Sequence, residues 1–269
     1  WLEFRRVLFR SGKVILSNWA DQVGVLTGSV GETVIFPHWN TIGKATQLNK
    51  GDDIKTEELG QDDSCKATIK QMAAPGVLVY DIDNLTALGD AIDEGARQQG
   101  VALARGKDTD LMTECLTSKL KVKTESKTAI TSDELNKGFQ LYGDSQDCDD
   151  FCGILVHSLV ASSFYSMPGF VKADYTFNGL NGNGIVRHNL IGHYRGVPVY
   201  MSDFNTFVDG ECVTIIVKKH SLGKMPKRGV FTEFDRMASK KATAIYSDEI
   251  YAVKMINPEG VVVLRNTIA

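Results

Sequence analysis

Apolar and polar residues alternate along several short stretches of this chain and recur at helical spacing along one long one. Near the start, Thr33, Val34, Ile35 and Phe36 form a β-branched and aromatic run closed by Pro37, the pattern of an edge strand. The alternating run 67–72 predicts the partner strand. Between them, residues 40–64 are polar and contain Gly43, Gly51 and Gly60. That connection is far longer than the roughly 4–6 residues usual inside a compact domain. The prediction is a hairpin-like arm. A two-stranded ribbon is marginally stable alone, so an ordered arm needs a surface to lie on, and another copy of the chain would supply one.

Residues 83–88 predict a short helix closed by Gly89, with Asp90 placed as the N-cap of the next. Ile92, Ala96, Gly100, Leu103, Leu111 and Cys115 then recur at helical spacing to about Ser118. One helix of roughly 40 Å follows at 1.5 Å per residue. Gly95, Gly100 and Gly106 each cost about 1 kcal/mol against alanine in a helix, so packing must compensate, for instance by close approach of a sheet. Thr131 with Glu134 three residues on is a capping box, opening a helix that Gly143 ends. The run 153–157 reads as a buried strand, followed by a short helix for which Ser158 is a cap. After the Gly/Asn turn cluster 178–184, strand-like stretches occur at 185–193, 197–201, 212–217, 229–234, 250–255 and 261–264. No repeat or linker interrupts them, and the fold class is α+β.

Composition narrows the function. With 269 residues, 43% hydrophobic and 23% charged, the chain can bury a core, but a net charge of -3 argues against a protein that coats nucleic acid. Five scattered cysteines indicate no disulfide framework. The longest apolar runs fall well short of the roughly 20 residues of a membrane helix, so no membrane partner is expected. Residues 2–11 (LEFRRVLFRS) read as a translated sequencing adapter, so residues 1–11 are set aside as non-native. Residues 12–32 are then expected to be the remnant of an N-terminal segment.

Candidate chemistry does not hold up. Cys148 and Cys152 lie beside Asp144, Asp147, Asp149 and Asp150, yet the spacing fits neither a zinc site nor a calcium loop. Cys152 and His157, five apart on one strand, face opposite sides and cannot form a nucleophile–base pair, and the same parity separates His188 from His193. His157 reads as a packing or capping group. Gly182 to Gly184 lacks the lysine of a phosphate loop, and no Gly-x-Ser-x-Gly elbow occurs. We expect no catalytic, cofactor-binding or metal site, and no cofactor; a cysteine or serine hydrolase is the least supported alternative.

Residues 31–39 (GETVIFPHW), 42–45 (IGKA), Leu59, 98–110, 153–157 (GILVH), 192–203 (GHYRGVPVYMSD) and 251–253 (YAV) appear in an order and spacing that resembles the tailed-phage major capsid proteins with the Hong Kong-type coat fold. The resemblance covers nearly all of residues 12–264. It implies an extended loop at 33–70, a spine helix near 90–118, an axial domain at 131–201, and a peripheral domain built from 71–130 and 202–269. It also implies an icosahedral shell of pentamers and hexamers located in the virion, enclosing double-stranded DNA without binding it specifically. Scaffolding and portal proteins would be further partners. In that family axial domains meet at five-fold and six-fold centres while extended loops lie across neighbours. Some relatives cross-link an extended-loop lysine to an asparagine, for which Lys44, Lys50, Lys55, Asn257 and Asn266 supply the residue types. The same fold also serves encapsulins, whose shells hold enzymes, and this is the main alternative function.

Two charge clusters suggest how copies meet. Residues 40–65 carry six acids, among them Asp52, Asp53, Glu57 and Glu58, against three lysines. Residues 218–228 carry Lys218, Lys219, Lys224, Lys227 and Arg228 and no acid. Charge runs are usually solvated surface; the sharper expectation is that the acidic arm of one subunit meets the basic loop of a neighbour.

Overall fold

The computed structural model describes residues 14–26, 31–36, 65–86, 90–172 and 189–268, with isolated positions 43, 45, 47, 53, 54 and 56. The turn cluster 178–184 and most of the arm between its strands lie outside the described residues.

The elements run α1 (Leu16–Trp19), β1 (Asp21–Gln22), β2 (Thr33–Ile35), β3 (Lys66–Thr68), β4 (Lys70–Ala73), β5 (Val77–Tyr80), α2 (Asp81–Thr86) and α3 (Ala91–Leu116). After these come β6 (Leu120–Lys123), α4 (Ser132–Gln140), β7 (Phe151–Val156), α5 (Ser158–Ser166), β8 (Phe170–Lys172), β9 (Leu190–Tyr194) and β10 (Val197–Met201). The last strands are β11 (Phe207–Val208), β12 (Glu211–Cys212), β13 (Thr214–Lys218), β14 (Leu222–Met237), β15 (Ala242–Met255) and β16 (Val261–Arg265).

The spine helix α3 forms as the periodicity predicts. Asp90 caps it, its carboxylate accepting from the Ile92 N–H at 2.9 Å, and 26 residues make it about 39 Å long. Its first turns pack differently from the expected stripe. Ile92 and Ala96 are only half-buried, whereas Gly95 and Gln99 face the sheet. A Cβ on Gly95 would lie 3.2 Å from Val77 and 3.4 Å from Ile245, so the missing side chain lets the helix approach. Gln99 is buried and bridges the layers: its amide donates to the carbonyls of Ile245 at 2.7 Å and Pro75 at 2.9 Å, and its oxygen accepts from Ser247 Oγ at 2.7 Å. The buried polar group is fully used, which removes the cost of an orphan.

That sheet is the long hairpin β14–β15 with β4 and β5 beside β15 and β1 on the free edge of β14. A second sheet has seven strands in the order β6-β16-β13-β7-β10-β9-β8. One of its faces buries Ile154, Val156, Val199, Ile216, Val262 and Leu264 with side chains of α4 and α5. The other packs Leu155, Ile215 and Val263 with Leu111, Met112 and Cys115 of α3. The capping box at Thr131 and Glu134 is present. Strands β9 and β10 are joined through Arg195 (φ 52°) and Gly196 (φ 82°), the two positive-φ residues that a tight twisted hairpin requires.

Three readings change. The run 67–72 splits, Lys66–Thr68 pairing with Thr33–Ile35 while Lys70–Ala73 pairs with β15. His157, not Ser158, caps α5, its Nδ1 accepting from the Leu159 N–H at 3.1 Å. Sheet membership also cuts across the expected division at residue 201: β13 and β16 lie with β7 and β10 in one sheet, because β16 pairs parallel to β6 and β13 fills the space between β16 and β7.

Candidate assembly surfaces

The arm is clamped at its root. Phe36 is wholly buried among Leu26, Cys65, Ala67, Met225 and Ala252, and its N–H donates to the Cys65 carbonyl at 2.9 Å. Gly223 makes room, since a Cβ there would come within 2.9 Å of the Phe36 ring. Of the predicted acids, Asp53 is exposed; Asp52, Glu57 and Glu58 lie outside the described residues, as do Lys44, Lys50 and Lys55. Asn266 is engaged in the body, its amide donating to the carbonyls of Thr124 at 2.7 Å and Glu125 at 3.1 Å.

The basic segment is not a loop. Lys218 ends β13, and Lys224, Lys227 and Arg228 belong to β14. Lys218 Nζ donates to the Ser145 carbonyl at 2.5 Å and its Oγ at 2.7 Å, and lies 4.9 Å from the Tyr142 ring centre. Half-buried Lys224 donates to the Ser17 carbonyl at 2.5 Å, and burial pulls its ammonium below the ordinary lysine range. Arg228 pairs with Asp248 and covers the Phe231 ring. Among the described residues, Lys219 and Lys227 alone of the five make neither a side-chain hydrogen bond nor an ion pair. Gly223, Pro226 and the bulges around Arg228 give the segment its loop-like composition while the strand continues through it.

A docking site that the sequence did not reveal lies on α3. Buried Asp108 accepts from the N–H groups of Ile15 and Ser17, each at 2.8 Å. This fixes α1 against the spine helix. Burial raises the Asp108 carboxyl above its ordinary range despite those bonds, which favour the ionised form. Beyond α1, Trp19 packs edge-on against Tyr200 at 5.6 Å, and His220 Nδ1 lies 2.6 Å from the Asp21 carboxylate. The N-terminal segment thereby touches the spine helix and both sheets.

The nucleophile–base reading fails on position and on ionisation. Cys152 packs beside the core that contains Leu155 and Ile215, and burial, with Asp21 nearby, pushes its thiol up to about 11. His157 spends Nδ1 on its helix cap and packs against Phe207. Among the described residues no three His, Cys, Asp or Glu side chains converge as metal ligands.

A spine helix laid on a long hairpin, a second sheet sharing its core, and an arm rooted at the hairpin edge define a coat-protein fold. No protein-family model matches the chain. It is 28% identical over 241 residues to the major capsid protein of Staphylococcus phage phiMR11, a match spanning 89% of this chain and 82% of that protein. The fold matches the capsid of a native GTA particle (TM-score 0.68, 13% identity, 96% of this chain and 91% of that one). It also matches the mature capsid of bacteriophage PhiM1 (TM-score 0.60, 15% identity, 93% and 86%). The chain has the Hong Kong-type fold of these capsids, and its sequence is similar to that of a phage major capsid protein.

Proposed function

We propose that copies of this chain assemble as pentamers and hexamers into an icosahedral head shell enclosing double-stranded DNA, which they do not read. The carrying observation is that the capsid fold runs through both sheets and the spine helix, with Phe36 and its neighbours clamping an arm at the edge. In this reading residues 33–70 reach a neighbour. The seven-stranded sheet around 131–201, with β13 and β16, gathers at the five-fold and six-fold centres, and the spine helix with β14–β15 lies outside them. Scaffolding and portal proteins are further partners of such a shell. The contact of the acids Asp52, Asp53, Glu57 and Glu58 with a neighbour narrows to Lys219 and Lys227, because Lys218, Lys224 and Arg228 serve their own chain.

The test is expression of the chain, followed by negative-stain microscopy and nuclease treatment. Closed particles protecting DNA in the presence of packaging proteins are expected. A species that stays small at all concentrations refutes the shell, and particles filled with an enzyme cargo favour the encapsulin alternative.

A further inference from the structure

Midway along the β14–β15 ladder, Phe231 pairs with Asp248 and Glu233 with Tyr246. Directly opposed residues point the same way, so these four share the face turned away from α3, opposite Ser247, whose hydroxyl reaches Gln99. Strand β4 adds Gln71 and Ala73, and the group lines an open cleft of about 280 Å³. Phe231 and Tyr246 remain 46% and 47% exposed. They hold diagonal ladder positions about 7–8 Å apart. Backbone braces one side of the Tyr246 ring, since a Cβ on Gly76 would come within 2.7 Å of it.

What such a cleft holds is shown by the chain itself. The Arg228 guanidinium lies 5.2 Å from the Phe231 ring centre and pairs with Asp248. Its bond and that from the Gln71 amide both fall on Asp248 Oδ2. Among the described residues, Asp248 Oδ1 and the Glu233 carboxylate accept no hydrogen bond, and no cation covers the Tyr246 ring. Half of the cleft is therefore an occupied guanidinium site, and the other half repeats its ingredients, an aromatic face beside carboxylate oxygens.

We propose that this open half binds an arginine side chain presented by a different polypeptide, stacked on Tyr246 and forked by Glu233. Cation–π attraction and charge-assisted hydrogen bonds act together there, and a lysine ammonium offers neither the stacking plane nor the fork. Residues flanking the incoming arginine would rest on Leu78 and Tyr80, exposed on the same face along β5. A different polypeptide supplies the group because the other described arginines of this chain are already engaged: Arg97 with Glu94, Arg236 with Asp81, Arg265 with Glu211, Arg105 on Phe204 and Arg195 on Phe139. Arg228 is then a built-in competitor, repelling the second cation and drawing on Asp248. The site lies within one chain and does not depend on the shell reading.

The test is titration of the full chain with the peptide acetyl-Leu-Arg-Leu-amide, followed by amide NMR shifts, with the uncharged citrulline peptide as control. Shifts are expected at residues 71–74, 231–233 and 246–248, and the citrulline peptide should bind about tenfold more weakly or worse. Glu233→Gln should weaken binding by a similar factor at an unchanged melting temperature, since the side chain is exposed. Arg228→Ala should tighten it several-fold by removing the competitor; if that chain melts early, Arg228→Gln carries the same comparison. Equal binding of the citrulline peptide, shifts confined to other surfaces, no effect of Glu233→Gln, or unchanged or weaker binding after loss of Arg228 overturns the proposal. Self-association of the parent chain that Glu233→Gln abolishes would make the occupant a second copy and overturn the assignment to a different polypeptide.

Discussion

Replacing Asp108 with alanine should free the N-terminal segment without unfolding the body. The substitution leaves the N–H groups of Ile15 and Ser17 without their acceptor, each worth about 1–3 kcal/mol when orphaned. Relief of the carboxylate's own burial offsets part of this, as its raised pKa indicates. A net local cost of about 2–3 kcal/mol corresponds to roughly 30- to 150-fold more frequent opening of residues 14–22. Asp108→Asn keeps one acceptor but turns an amide donor toward the other N–H, so a smaller increase is expected. The assay is hydrogen exchange at the Ile15 and Ser17 amides, with Asp93→Asn on the exposed side of the same helix as control. The pH dependence has a definite sign. A folded-state pKa raised above the ordinary 3.8 means that Asp108 contributes stability below that value and loses the contribution as pH rises through its elevated folded value. Mild acidification should therefore not release the segment through this group. Exchange at both amides unchanged in Asp108→Ala would refute the docking role.

Three further outcomes are expected. Gly95→Leu places a side chain against Val77 and Ile245 and should cost about 1–3 kcal/mol by overpacking, read from chemical denaturation, whereas Gly95→Ala should change stability by less because the helix gains what the contact loses. Phe36→Ala empties the root of the arm and should cost about 3–5 kcal/mol locally, seen as faster proteolytic cutting near residues 31–36 and 65–68. In native thiol labelling, exposed Cys148 should react first and Cys152 slowly, while Cys115, wholly buried with its thiol pushed up to about 12, should react only after unfolding.

What the sequence determined by itself is local in origin. The Asp90 cap, the Thr131–Glu134 box and the strand pair at the arm root depend on residues within a few positions or on simple alternation, and all three form. The coat-protein fold was legible too, through ordered motifs spread over the chain. Tertiary structure alone decided the rest. Gln99 meets Ile245 across 146 positions and Asp108 meets Ile15 across 93, so no window of sequence contains both partners. Strands β13 and β16 read as a tail yet complete the sheet of β7, because β-pairing is set by which edges remain open after collapse. The run from Lys218 to Arg228 looked like a basic patch because charge is visible in sequence while the groups that engage it are not. Only packing shows that Ser145, Ser17 and Asp248 already occupy three of its five cations.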